Sequence, residues 1–122
     1  MINMNKEFVS YEQALALKEL GFDESCFAVY SEHDKTRVYD ESAIREGLKI
    51  QAPLYQQAFR WFREKHGLIY SIGHMGHSNT WAYEIINVSM PGPNYGYAQT
   101  YEEAEQACLN KLIEIVKDGK YV

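Results

Sequence analysis

Long apolar runs are missing from this chain. No stretch approaches the roughly 18 consecutive apolar residues that a membrane-spanning helix needs, and the polar opening MINMNKE lacks the pattern of a secretory leader. The expectation is a cytoplasmic protein with no membrane partner. Cysteine is scarce as well: Cys26 and Cys108 stand far apart, each beside apolar residues, and no CxxC occurs. In a reducing compartment such residues are small buried hydrophobes rather than a disulfide or a zinc site. Positive charge is the third shortage. Twelve Lys and Arg against 17 Asp and Glu leave a net charge of −5, which opposes broad attraction to nucleic acid or anionic membrane without excluding a local basic face. Catalytic signatures are absent too: no phosphate-cradling glycine loop, Ser–His–acid or Cys–His arrangement, or paired-acid motif stands out, and no cofactor is implied.

What remains is an ordinary globular composition, 46% hydrophobic and 24% charged over 122 residues. That is enough for a single α+β domain over 1-122 with its own core. Its organising stretch is Pro53 to Val88, PLYQQAFRWFREKHGLIYSIGHMGHSNTWAYEIINV, which holds both tryptophans. Pro53 suits the first turn of a helix, where its missing N–H is no loss. Leu54, Tyr55, Ala58, Phe59, Trp61 and Phe62 fill one arc of the wheel, and Gln56, Gln57, Arg60, Arg63 and Glu64 the other. Gly67 stops that helix. Leu68 to His74 and Thr80 to Val88 follow as a hairpin joined by MGHSN, with Trp81, Tyr83 and Ile85 alternating against Ala82, Glu84 and Ile86.

Before this stretch, Ser10 and Gln13 fit a capping box opening a helix from about Tyr11 to Leu20, and Gly21 offers its C-terminal cap. Phe22 is placed to fold back on the last turn. Cys26 to Glu32 reads as a strand, His33-Asp34-Lys35 as a turn and Thr36 to Tyr39 as the returning strand. Ser42 to Lys49 reads as a helical turn weakened by Gly47. After the organising stretch, Ser89 to Gln99 is a loop, because MPGPNYGYA has two prolines, two glycines and no period. Thr100 and Glu103 then form a second capping box. The last helix carries Tyr101, Ala104, Cys108, Leu109, Leu112, Ile115 and Val116 as its apolar stripe and stops before Gly119.

The predicted order is α-β-β-α-β-β-α, helices packed on an antiparallel sheet. The helix starts Tyr11-Glu12-Gln13-Ala14, Tyr55-Gln56-Gln57-Ala58 and Tyr101-Glu102-Glu103-Ala104 recur 44 and 46 positions apart. The recurrence invites an internal duplication. The competing account is that aromatic residues and acidic or amide first turns are common where helices begin.

Four groups of residues could carry chemistry. His74 and His77 in GHMGHS have H-x-x-H spacing and could reach one metal ion, but nothing nearby supplies further ligands, and a polar hairpin turn explains them as well. Glu105 falls inside the apolar stripe of the last helix. A carboxylate there must be paired or protonated, so it is a candidate acid/base, or a first-turn carboxylate satisfied by the helix dipole. Tyr95 and Tyr97, among ten tyrosines, sit in the glycine–proline segment and are placed either to touch a partner or to fold over the sheet as a lid. Arg45, Lys49, Arg60, Arg63 and Lys65 oppose only Glu46 and Glu64 between Ile44 and Gly67. Arg60 and Arg63 lie one turn apart, as a phosphate-contacting strip or a solvated helix face.

APLYQQAFRWFREKHGL, Trp81-Ala82-Tyr83-Glu84-Ile85 and TYEEAEQACLNKLIEIVK together resemble a set of small uncharacterised proteins of bacteriophages and prophage-bearing bacteria. The resemblance implies a mobile-element context and no catalytic residues. The leading expectation is a non-enzymatic accessory module that binds a partner protein or a second copy of itself (a homodimer) through Tyr95, Tyr97, Arg60 and Arg63. Nucleic-acid binding by the basic strip with tyrosine stacking is the second reading, and an enzyme built on Glu105 the third.

Overall fold

The computed structural model describes residues 4–39, 48–88 and 93–119. The chain is an α+β protein with the α-β-β-α-β-β-α order, and a third strand is added to each hairpin. The described residues fall into two compact units, Met1–Gln57 and Ala58–Val122, the division lying inside the middle helix.

In the first unit, α1 (Tyr11–Glu19) is opened by the capping box read from the sequence. The Gln13 amide donates to Ser10 Oγ at 3.1 Å, and the Ser10 amide donates to Gln13 Oε1 at 3.1 Å. Gln13 is buried at 3% exposure, and its Oε1 also accepts the Tyr55 hydroxyl at 2.9 Å. A buried amide oxygen is thereby kept hydrogen-bonded. Gly21, at φ +101°, ends the helix, and the Phe22 amide reaches back to the Leu17 carbonyl while its ring is buried.

Strands β1 (Ala28–Ser31), β2 (Arg37–Val38) and β3 (Lys49–Ala52) form an antiparallel sheet in the order β2-β1-β3. The turn before β2 is fixed by Asp34, whose Oδ1 accepts from both the amide and the hydroxyl of Thr36. Strand β3 is a correction, because Lys49 begins a strand where a helical turn was expected; residues 42–47 of that expected turn lie outside the described residues. Its alternating burial, with Ile50 and Ala52 inside and Lys49 and Gln51 half-exposed, is the period-2 signal. Pro53 does not start the next helix. Its carbonyl accepts the Val9 amide at 3.0 Å, Leu54 bridges to Phe8, and α2 begins at Tyr55.

Helix α2 (Tyr55–His66) ends at Gly67, φ +67°. The second unit then runs through β4 (Tyr70–His74), a 3-10 turn at Gly76–Ser78, β5 (Trp81–Ile85), β6 (Tyr95–Ala98) and α3 (Tyr101–Asp118). Its sheet is a simple meander, β4-β5-β6, all antiparallel. Strand β6 is the second correction: Tyr95, Gly96, Tyr97 and Ala98 alternate exposed and half-buried as a strand, where a loop was expected. Residues 89–92 of that expected loop lie outside the described residues.

All three helices begin on the recurring tyrosine. The recurrence is nonetheless local. The central strand of the first sheet is the first in sequence, that of the second is the middle one, and duplicated units would share one strand order. Thr100 caps α3 by accepting the Glu103 amide at 3.1 Å, while its hydroxyl donates to Glu103 Oε1 rather than leaving that carboxylate to reach back to the cap backbone. Ala104, Cys108, Leu109, Leu112 and Ile115 are fully buried along α3, and each large aliphatic side chain so placed stabilises the fold by about 1.5–3 kcal/mol. No helix among the described residues is long and apolar enough to cross a membrane.

Candidate functional site

Register assigns the two faces of the second sheet. Tyr70 pairs with Ile85, Ile72 with Tyr83 and with it Gly96, and Trp81 with Ala98. This is the helix-facing side. Tyr70 stacks on Phe59 of α2 with centroids 4.0 Å apart, and Trp81 meets Tyr101 of α3 edge-on at 5.3 Å. The other side carries Ser71, Gly73, Ala82, Glu84, Tyr95 and Tyr97, through the pairs Ser71–Glu84–Tyr95 and Gly73–Ala82–Tyr97.

On that open side lies a groove of about 300 Å³. Gly73 and Ala82 make its floor, Tyr95 and Tyr97 one wall, and Glu84, Ser71 and Met75 complete it. Tyr95 and Tyr97 are 55% and 62% exposed. Their rings stand 6.1 Å apart at 74°, so the pair forms a corner rather than a stack. A strand explains this arrangement: residues two apart share a face, and Gly96 between them points the other way. The tyrosines are therefore not on a loop, and they do not close over the sheet as a lid.

Gly96 leaves room for its neighbour's ring. A Cβ at this position would lie 2.6 Å from Cε1 and Cζ of Tyr83, whose ring crosses it on the helix-facing side. Gly73 has no such constraint, since a Cβ there would meet nothing within 4 Å.

Arg60 and Arg63 are exposed on α2, as expected. They do not join the tyrosines. Helix α2 lies on the Tyr70 side of the sheet, whereas Tyr95 and Tyr97 lie on the open side. The tyrosine surface carries the Glu84 carboxylate. Of the remaining basic cluster, Lys65 is exposed on α2 and Lys49 lies in β3, while Arg45 is outside the described residues.

Glu105 is buried at 8% exposure, as its place in the apolar stripe implies. Its neighbourhood is the packed side of the sheet. Burial raises the pKa of the Tyr70 hydroxyl, and Cys108 and Glu105 add to that rise while Arg63 opposes it. Burial, reinforced by Glu105, pushes the Cys108 thiol up to about 12. Glu105 does not line the open groove.

His74 is engaged at both ring nitrogens. The Gly76 amide donates to Nδ1 at 2.9 Å, and Nε2 lies 3.5 Å from Asn79 Oδ1. Metal ligation through Nδ1 would displace that amide. His77 is exposed in the 3-10 turn, and among the described residues no group of three or more His, Cys, Asp or Glu is placed to hold a metal ion. Both cysteines are free thiols.

A second hollow, about 380 Å³, lies in the first unit beside Ala14, Lys18, Phe22, Asp23, Lys49 and Gln51. Its charges are mixed, and Gln51 Oε1 already accepts the Cys26 amide at 2.9 Å. The open sheet face carries Tyr95 and Tyr97, two of the four residues expected to make contacts; its floor of Gly73 and Ala82 and its Glu84 were not anticipated. The signal for them was the alternation in β5, where every second residue after Ala82 belongs to the same face. Comparison with protein-family models, curated proteins and solved structures finds no match for the chain.

Proposed function

We propose that this chain is a non-enzymatic protein-interaction module, cytoplasmic and of mobile-element accessory type, whose contact surface is the open face of β4-β5-β6. The observation that carries the reading is the exposed pair Tyr95 and Tyr97 standing beside a small-residue floor. Large tyrosine rings on a rigid strand offer contact area at low entropic cost. A floor of glycine and alanine lets a partner's side chains approach the sheet closely. The mobile-element context rests on the sequence resemblance.

Nucleic-acid binding is the weaker alternative. Stacking rings and phosphate-contacting cations work together when they line one groove, and here Arg60 and Arg63 lie behind the sheet that carries the tyrosines. Glu84 beside the rings repels a phosphate backbone.

The test uses the full chain against a random peptide library, with sedimentation velocity for self-association. Tyr95→Ala with Tyr97→Ala is the control, checked by circular dichroism. Selected peptides, or a second copy, that bind the parent and not the folded double variant support the reading. If every binder tolerates the double variant and the protein is monomeric, the open face is not the contact surface. Fluorescence anisotropy with labelled DNA and RNA at low salt, against Arg60→Ala with Arg63→Ala, decides the alternative.

A further inference from the structure

The open face carries a feature that specifies what it binds. Tyr95 and Tyr97 meet at 74° with centroids 6.1 Å apart, so a group seated in their corner touches two ring faces or one face and one edge. Glu84 is directly across the strand pair from Tyr95 and diagonal to Tyr97, within reach of both rings. The ionisable side chains on the open face of the groove are Glu84, Tyr95 and Tyr97, whereas Tyr83 and His74 border it from helix-facing positions of the register. Among the described residues that line it, Glu84 is the carboxylate and there is no lysine or arginine.

We infer that Tyr95, Tyr97 and Glu84 form a half-cage for a cationic side chain, a lysine or arginine presented by an extended basic segment of a partner protein. Aromatic faces attract cations through the ring quadrupole, within about 6 Å of the centroid. A carboxylate at the same corner adds Coulomb attraction and orients the group. The floor favours the same occupant. Gly73 presents no side chain, so the long apolar stem of a lysine or arginine can lie across it while its head reaches Glu84. The chain's net charge of −5 favours encounter with a basic partner.

This inference rests on the interaction reading and refines it. The experiment separates the failure of one from the failure of the other. The isotopically labelled full chain is titrated, with amide shifts followed by NMR, against acetyl-Gly-Arg-Gly-Lys-Gly-amide, the same peptide with glutamate at both charged positions, and tetramethylammonium chloride. The expected result is saturable shifts at Gly73, Ala82 and Gly96 with the basic peptide, smaller shifts at the same amides with tetramethylammonium, and none with the acidic peptide. Glu84→Gln and Tyr97→Ala should each weaken binding by about two- to fivefold, the size of an exposed cation–π contact. Tyr97→Phe should retain it, because the ring face and not the hydroxyl makes the contact. Gly73→Leu, whose Cβ would meet nothing within 4 Å and whose side chain would occupy the floor, should abolish it.

Absence of saturable shifts with the basic peptide overturns the half-cage, as does equal binding in Glu84→Gln and Tyr97→Ala. Library peptides that need the tyrosines but lack basic residues overturn it too, while leaving the interaction reading intact. Library peptides that ignore the tyrosines remove both.

Discussion

Tyr83 and Gly96 face each other across β5 and β6, and the tyrosine ring fills the space that any side chain at 96 would need. The exposed tyrosines on either side of Gly96 owe their common direction to this contact, because the strand cannot shift its register without driving a side chain into the ring. Gly96→Ala is expected to destabilise the fold by about 1–3 kcal/mol, the range for overpacking a filled site. Tyr83→Leu in the same chain should recover part of the loss. Gly73→Ala, on the open face of the same sheet, should instead be neutral or stabilise by up to about 1 kcal/mol. Urea unfolding of the three variants checks the contrast.

The opening of α1 makes a second prediction. Gln13 Oε1 accepts from the Ser10 amide and from the Tyr55 hydroxyl. Ser10→Ala should cost about 1 kcal/mol as a lost cap. Tyr55→Phe should cost about 0.5–1.5 kcal/mol as a lost hydrogen bond. The Gln13→Ala variant keeps the Gln13 amide bond to Ser10 Oγ but loses the bonds from the Ser10 amide and the Tyr55 hydroxyl, so its loss should be less than additive when combined with Tyr55→Phe. A double-mutant cycle in denaturant measures the coupling.

His66 supplies a pH dependence. It lies edge-on to Trp61 with centroids 4.9 Å apart, and burial lowers its pKa below the usual histidine value. The unfolded chain then binds more protons than the folded one in the window between the lowered pKa and about 6.5, so its contribution to stability is full above that window. Stability should decline as pH falls through it. Thermal unfolding at pH 7.5 and 5.5 should show that decline, and His66→Gln should flatten it.

The thiols should be slow to react. Burial, with Glu24 adding to it, pushes Cys26 up to about 12, and burial on the inner face of α3, with Glu105 adding to it, holds Cys108 at a similar value. Thiolate is the reactive form, so iodoacetamide at pH 7.5 should leave both unmodified in the folded protein and label both in denaturant. Rapid labelling of native Cys108, read by mass spectrometry, would contradict its core position.

Much of the fold was legible because its signals are local. Ser10 with Gln13, Gly21, Gly67 and Gly119 marked helix ends, and the three tyrosines marked the starts. The two missed strands were hidden for different reasons. KIQA in β3 follows Gly47 and a helix-like pattern, and four residues hold too few periods to outvote it. YGYA in β6 places a glycine inside a strand, which reads as a breaker until the ring of Tyr83 explains it. The same difficulty concealed the site: Tyr95 and Tyr97 were found by composition, but their common face, and the removal of Arg60 and Arg63 to the other side, depend on a pairing that no local pattern encodes.

The unequal strand orders of the two sheets bear on how the chain acquires its structure. In the meander each strand meets its sequence neighbour, so β4, β5 and β6 can zip one after another as soon as their short connections close. In the first sheet Ser31 must wait for Lys49, with β2 formed and a further segment traversed before the central strand gains its second partner. Longer closure carries a larger entropic barrier. On the ribosome the earlier-made half is therefore the one whose sheet stays open at one edge for longer, and β1, with Ala28, Val29 and Tyr30 destined for burial, is where a nascent chain would most need protection from aggregation.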